Sequence, residues 1–216
     1  MLKEKVHIEH RENNVPREAN ISQITDRVYT GGDLPFHLGA TEMLADLKRL
    51  QAAGITHILD NRLECTDEDF VAAHAPAITY LWNGQDDVGQ TMPDSWFDDG
   101  VEFALQAIAD DPDARVLAHC HMGINRGPSM AFAILLALGT DPVAALTAIR
   151  AGRPIAAIYY AGDALSWWHR ATGTPAGVAR RQRAEVAAWH RAHPIDVVHI
   201  IGAIRREEDD ARPLSA

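Results

Sequence analysis

Apolar residues in this chain fall into short β-like runs separated by stretches of helical spacing, a pattern that begins at Ile21 and repeats to about residue 172. That alternation predicts an α/β domain, a central mostly parallel sheet flanked by helices. Val28-Tyr29-Thr30 reads as a strand ended by Gly31-Gly32. Leu44, Leu47 and Leu50 recur at helical spacing between a capping Thr41 and the stop Gly54. Residues 55–59 read as a buried strand, Thr66-Asp67-Glu68-Asp69 as the start of a short helix ended by Pro76, and 78–82 as the next strand. The polar stretch 83–92 has two glycines and reads as a loop. Asp94 is placed to cap a helix whose Phe97, Val101, Ala104, Leu105 and Ile108 form one stripe.

Arg115-Val116-Leu117-Ala118 is the most central-looking strand, and the largely apolar run 129–138 reads as a buried helix. Asp141-Pro142 supplies a cap and a first-turn proline for a helix over 143–151, and another helix covers 162–171. On either side of this domain (21–172) lie a polar segment, 1–20, expected to be a flexible arm, and a helical C-terminal extension, 173–216. In the extension, 178–193 reads as a helix. Val197, Ile200, Ile201 and Ile204 then follow i, i+3, i+4, i+7 spacing, an apolar stripe expected to dock on the body or to pair two copies of the chain as a homodimer.

Composition narrows the class. With 216 residues, 47% of them apolar, the chain is long enough for one ordinary core, which excludes a disordered tail or a disulfide-stapled miniprotein. The net charge is −10, and because the last 42 residues hold seven Arg against six acids, the acidity sits in the body. An acidic body argues against nucleic acid or an anionic membrane as partner, since both are bound by neutralising phosphates. The N-terminus has no apolar signal region, and the longest apolar run, 130–138, is far short of the roughly 20 residues that cross a bilayer. Two cysteines, Cys65 and Cys120, make no disulfide framework, so a reducing cytoplasm is the expected location.

Candidate chemistry concentrates in Arg115-Val116-Leu117-Ala118-His119-Cys120-His121-Met122-Gly123-Ile124-Asn125-Arg126. A cysteine leaves a buried strand, a short loop follows, and an arginine opens an apolar helix. Such a loop gathers backbone N–H groups around one point, and the helix dipole adds positive potential there, making an anion site. Cys120 at its base is a candidate nucleophile, because the same field favours thiolate. Arg126 on the far rim has the planar fork that holds two phosphoryl oxygens. Cys-x5-Arg alone arises by chance in such a chain with a probability of roughly 15%; adding His before the Cys and Gly three after it lowers this below about one in a thousand. His119-Cys120-His121 is a poor metal site, because neighbours on a strand point to opposite faces.

His119-Cys120-x-x-Gly123-x-x-Arg126 resembles the active-site signature of the cysteine-based dual-specificity and tyrosine phosphatases. The first strand region 21–32, the segment 47–60 and Arg150-Ala151-Gly152-Arg153-Pro154 resemble further elements of dual-specificity phosphatases, so the likeness covers about residues 20–172. The resemblance implies a protein-tyrosine or dual-specificity phosphatase acting on phosphorylated protein or a small phosphomonoester through a phosphocysteine on Cys120, with no metal or cofactor. It assigns Arg126 and the loop residues His121, Met122, Gly123, Ile124 and Asn125 to substrate binding. It takes the general acid from a loop roughly thirty residues before the Cys, here Asp87, with Asp86 the near alternative and Asp94 a distant third. The loop lacks the lysines of members that act on inositol phosphates, which disfavours an inositide substrate.

One position departs from the family. After the signature Arg it nearly always has Ser or Thr, whose hydroxyl bonds the sulfur, whereas this chain has Gly127-Pro128. That departure leaves room for a phosphate-binding protein without turnover, unless Ser129 or Asn125 compensates. Arg-Gly-Pro is also similar to the rhodanese-fold phosphatases of the cell-division cycle, and a rhodanese-like sulfur transferase is the third reading. Cys65, if it lies close to Cys120, would form a reversible disulfide that protects an oxidised sulfur. Trp167, Trp168, Tyr159 and Tyr160 read as core or interface residues.

Overall fold

A computed structural model describes residues 19–211. The expected arm over 1–20 therefore lies almost wholly outside the described residues. Five strands, β1 (Ile21–Gln23), β2 (Val28–Gly31), β3 (His57–Arg62), β4 (Thr79–Gln85) and β5 (Val116–His119), form one sheet in the order β1-β2-β5-β3-β4. β2, β5, β3 and β4 run parallel, and β1 pairs antiparallel with β2. β5 lies in the middle, as its buried apolar character predicts.

Side chains along each strand alternate between two cores. Tyr29, Ile58 and Leu117 pack beneath α1 (Ala40–Ala52) and α2 (Glu68–His74) with Leu47, Leu50 and Val71. Val28, Leu59, Val116 and Ala118 face the larger core, which is shared with α3 (Asp94–Asp110), α4 (Arg126–Ala137), α5 (Pro142–Gly152), α6 (Ala161–Ala171) and α7 (Ala176–Ala192). α4 runs through that layer with every residue from Arg126 to Leu136 buried, which accounts for its nearly unbroken apolar sequence.

Several local expectations change. Thr41 lies inside α1 and does not cap it; the helix starts at Ala40, behind Gly39. Asp94 is the first residue of α3, not its cap, and its carboxylate pairs with Arg170. β3 runs on through Asn61 and Arg62, and β4 takes up Asn83, Gly84 and Gln85 from the expected loop, because the parallel ladder between them continues to Arg62 opposite Gln85. The extension is of two kinds. α7 buries Ala179, Val186 and Trp189, the last two in the main core, whereas the final helix, α8 (Val197–Ala211), has no buried residue. No helix among the described residues is long and apolar enough to cross a membrane.

Candidate active site

Cys120 follows the end of β5, and Arg126 is the first residue of α4. Between them the chain turns sharply, with Gly123 at φ +65°. A side chain there would be strained and would also overlap the Gly31 backbone and the Arg153 guanidinium, so only glycine fits.

The carbonyls of loop residues 121–124 are each tied down by a hydrogen bond. The His121 carbonyl accepts from the Asp33 N–H at 3.0 Å and the Ile124 carbonyl from the Ala157 N–H at 2.7 Å. Arg153 donates from Nη2 to the Met122 carbonyl at 2.9 Å and from Nε to the Gly123 carbonyl at 2.6 Å. Its Nη2 also reaches Asn20 Oδ1 at 2.9 Å. With its carbonyls held this way, the loop leaves the backbone N–H groups of residues 121–126 without an acceptor among the described residues. Consecutive free amides at a helix start form an anion cradle. Cys120, a free thiol 3% exposed, sits at its base. Arg153 has no carboxylate partner among the described residues. Burial pulls its guanidinium below the usual arginine range, while the nearby Cys120 charge favours the cation.

Arg126 is aimed by Glu64. Its Nη1 and Nη2 donate to the two Glu64 carboxylate oxygens at 2.7 Å each, and Nη1 also reaches the Gln85 carbonyl at 2.8 Å. The Arg126 hydrogen bonds pull the Glu64 carboxyl down to about 2. Burial works against the Arg126 charge, but Glu64 and the Cys120 charge outweigh it and hold the guanidinium firmly cationic. Its Nε is buried with no hydrogen-bond partner, a donor left for a ligand.

Of the three candidate acids, Asp87 reaches this centre. Its Oδ1 accepts from Asn125 Nδ2 at 2.6 Å and from the Tyr160 hydroxyl at 2.9 Å, and its Oδ2 lies 3.6 Å from Arg126 Nε. Burial and the Asp87 contact push the Tyr160 phenol up to about 12, so it stays a donor. Asp86 does not line the cleft that Asp87 enters, and Asp94 is taken by Arg170. Cys120, His121, Met122, Ile124, Asn125, Arg126 and Asp87 line one cleft of about 460 Å³. Gly123 forms the back of the loop instead.

The two flanking histidines each pair with an aspartate. His119 Nε2 lies 3.7 Å from Asp60 Oδ1, and His121 Nδ1 lies 2.8 Å from Asp33 Oδ2. Both carboxylates, with Asp67, surround the fully buried Arg62 at 2.7–3.0 Å. This network braces the loop from beneath. Among the described residues no group of three or more His, Cys, Asp and Glu is arranged to hold a metal. Cys65 is exposed and Cys120 buried, and both thiols are free.

Gly127 has its own reason. A Cβ there would stand 2.8 Å from the Ala118 carbonyl oxygen and 2.9 Å from the His119 carbonyl carbon, so the close approach of α4 to β5 excludes any side chain. The hydroxyl that the family places at this position has no room. Ser129 Oγ accepts from the Tyr160 N–H at 3.3 Å and lies 3.4 Å from Asn125 Oδ1, where it fastens the loop to the α5–α6 connection. In that connection Ile158 has φ +57°, a strained conformation for a β-branched residue, between two loop-binding amides, those of Ala157 and Tyr159.

Sequence reasoning missed Glu64, Arg153 and Tyr160 as site residues. Glu64 and Tyr160 lie 62 and 73 positions from the residues they hold, Arg126 and Asp87, and neither belongs to a local pattern. The apolar stripe of α8 was expected to dock on the body or on a second copy, but not at this cleft, whose wall Val197, Ile201 and Arg205 complete.

No protein-family model matches the chain. In sequence it is similar to dual specificity protein phosphatase 2 of Mus musculus, 29% identical over 104 residues, a match that takes in 48% of this chain and 30% of that protein. The chain thus matches less than a third of the length of this curated relative. In structure it is similar to PTPMT1 in complex with PI(5)P, with a TM-score of 0.57 at 19% identity over 71% of this chain and 97% of that one. It is also similar to a variant of human DUSP28, with a TM-score of 0.58 at 15% identity over 74% of this chain and 100% of that one. At these identities the two structures establish the fold alone, an α/β fold like that of the dual-specificity phosphatases.

Proposed function

We propose, from a chain that is dual-specificity-phosphatase-like in sequence and fold, that it is a cysteine-dependent phosphatase hydrolysing phosphomonoesters, with phosphorylated Tyr, Ser or Thr of proteins among its substrates. The observation that carries this reading is the cradle: free amides over residues 121–126 beside a buried thiol, with an Arg126 Nε that makes no hydrogen bond and lies 3.6 Å from Asp87 Oδ2. Three equatorial oxygens of a phosphoryl group match these donors in number and charge. Cys120 sulfur attacks phosphorus in line, the P–O ester bond breaks as the S–P bond forms, and Asp87 hands its proton to the departing oxygen. Water then attacks the phosphocysteine, Asp87 takes its proton, and inorganic phosphate leaves with the thiolate restored.

Turnover of para-nitrophenyl phosphate tests it. Cys120→Ser abolishes turnover, and Asp87→Asn lowers kcat about 100-fold for substrates with a poor leaving group. Hydrolysis that survives Cys120→Ser overturns the reading. The second reading, phosphate binding without turnover, draws on Gly127, which leaves the sulfur without the family's neighbouring hydroxyl. It predicts a single burst of nitrophenol equal to the protein present and nothing after it.

A further inference from the structure

α8 carries its apolar residues on one stripe, yet none is buried; Val197, Ile200, Ile201 and Ile204 are only half-covered. A helix seated in the core would bury such a stripe. Here the stripe faces the catalytic cleft. Val197, Ile201 and Arg205 stand at i, i+4 and i+8, one line along the helix, and all three line the cavity that holds Cys120 and Arg126. Eight residues of helix extend about 12 Å, so α8 prolongs the cleft well beyond the length of a phosphoryl group. Ile124 and Tyr159 line the same cleft, and Tyr159 is 59% exposed.

The two arginines of the cleft are in different states. Arg126 has both Nη groups committed to Glu64 and Gln85. Arg205 is exposed and makes no ion pair or hydrogen bond among the described residues. Of the nearby acids of α8, Glu207 and Glu208 line the adjoining cavity, and the charge of Glu208 reaches His121 only as a long-range interaction. The cleft therefore offers phosphoryl recognition at one end, an apolar wall in the middle and an uncommitted guanidinium along α8.

We infer that α8 makes this cleft a site for phosphomonoesters whose organic part is apolar and carries a second anionic group, which Arg205 receives. The inference rests on the phosphatase reading above and names the substrate class of that site. A free aryl phosphate with a carboxylate tail and a phosphotyrosine followed by an acidic residue share this chemistry.

The test uses the full chain and two substrates that differ only in the tail, 3-(4-phosphonooxyphenyl)propanoate and 4-propylphenyl phosphate. In the native chain the carboxylate substrate has the higher kcat/KM. Arg205→Ala lowers its kcat/KM about 5-fold, as an exposed ion pair predicts, leaves the propyl substrate within about 2-fold, and Arg205→Lys restores most of the loss. If Arg205→Ala changes both substrates equally, or neither, the inference falls while the phosphatase reading stands. If the native chain turns over neither substrate, the phosphatase reading falls and takes this inference with it. Once the first result is in hand, phosphotyrosine peptides followed by Glu or by Ala identify the source. An Arg205-dependent preference for Glu supports the inference and extends it to phosphoproteins, and the absence of that preference supports it for free aryl phosphates.

Discussion

Gly127 shows how a single residue can carry two meanings. Against the family pattern it reads as a lost hydroxyl, but in the fold it is the point where α4 comes within contact of the β5 backbone. Gly127→Ala forces a methyl to within 2.8 Å of the Ala118 carbonyl oxygen; overpacking of this kind costs about 1–3 kcal/mol and lowers the Tm by about 3–10 °C, measured by calorimetry. An unchanged Tm would mean that the strand and helix part easily and that glycine is there for another reason. Glu64 gives a second prediction, with a definite sign. Its carboxyl lies at about 2 in the fold, down from an ordinary 4.5, so its pairing with Arg126 contributes stability above pH 4.5 and loses it as the pH falls toward 2. The Tm difference between the native chain and Glu64→Gln therefore shrinks over that interval. The carboxylate is half-exposed, so solvent screening keeps the contribution to about 1 kcal/mol or less.

Elements meet at the site in a way that explains what could be read from sequence. Cys120, His121 to Asn125 and Arg126 lie on one continuous strand-loop-helix, so their chemistry follows from local order. Asp87 comes from the β4–α3 connection and Tyr160 from the end of the α5–α6 connection; their junction exists only once the two meet over α4. No periodicity or spacing encodes such a meeting. Element ends shifted for a related reason: β3 and β4 continue as far as their shared ladder does, and that depends on the partner strand rather than on either segment alone. Tyr160 is a positioning residue in this arrangement. Tyr160→Phe lowers kcat about 3- to 10-fold by releasing Asp87, and in an Asp87→Asn background the same substitution has almost no effect. Equal losses in both backgrounds would show that Tyr160 acts through packing alone.

At the scale of the molecule, hydrophobic alternation was enough to predict the sheet, its central strand and the helical layers, because each strand divides its side chains between two cores. The C-terminal extension was harder to read. Its Arg- and Ala-rich composition marks a change of style without saying that Trp189 enters the main core or that α8 turns its stripe toward the catalytic loop. Both facts depend on where the preceding helices leave exposed apolar surface, which appears only in the assembled body.

The position of β5 has a consequence for how the protein is made. It is inserted between β2 and β3, both synthesised well before it, so a nascent chain carries a sheet with its middle rung missing. Cys120, the amides beside it and Arg126 all arrive on that rung and on the turn that follows, so the candidate site cannot assemble until the slot at the centre of the sheet is filled.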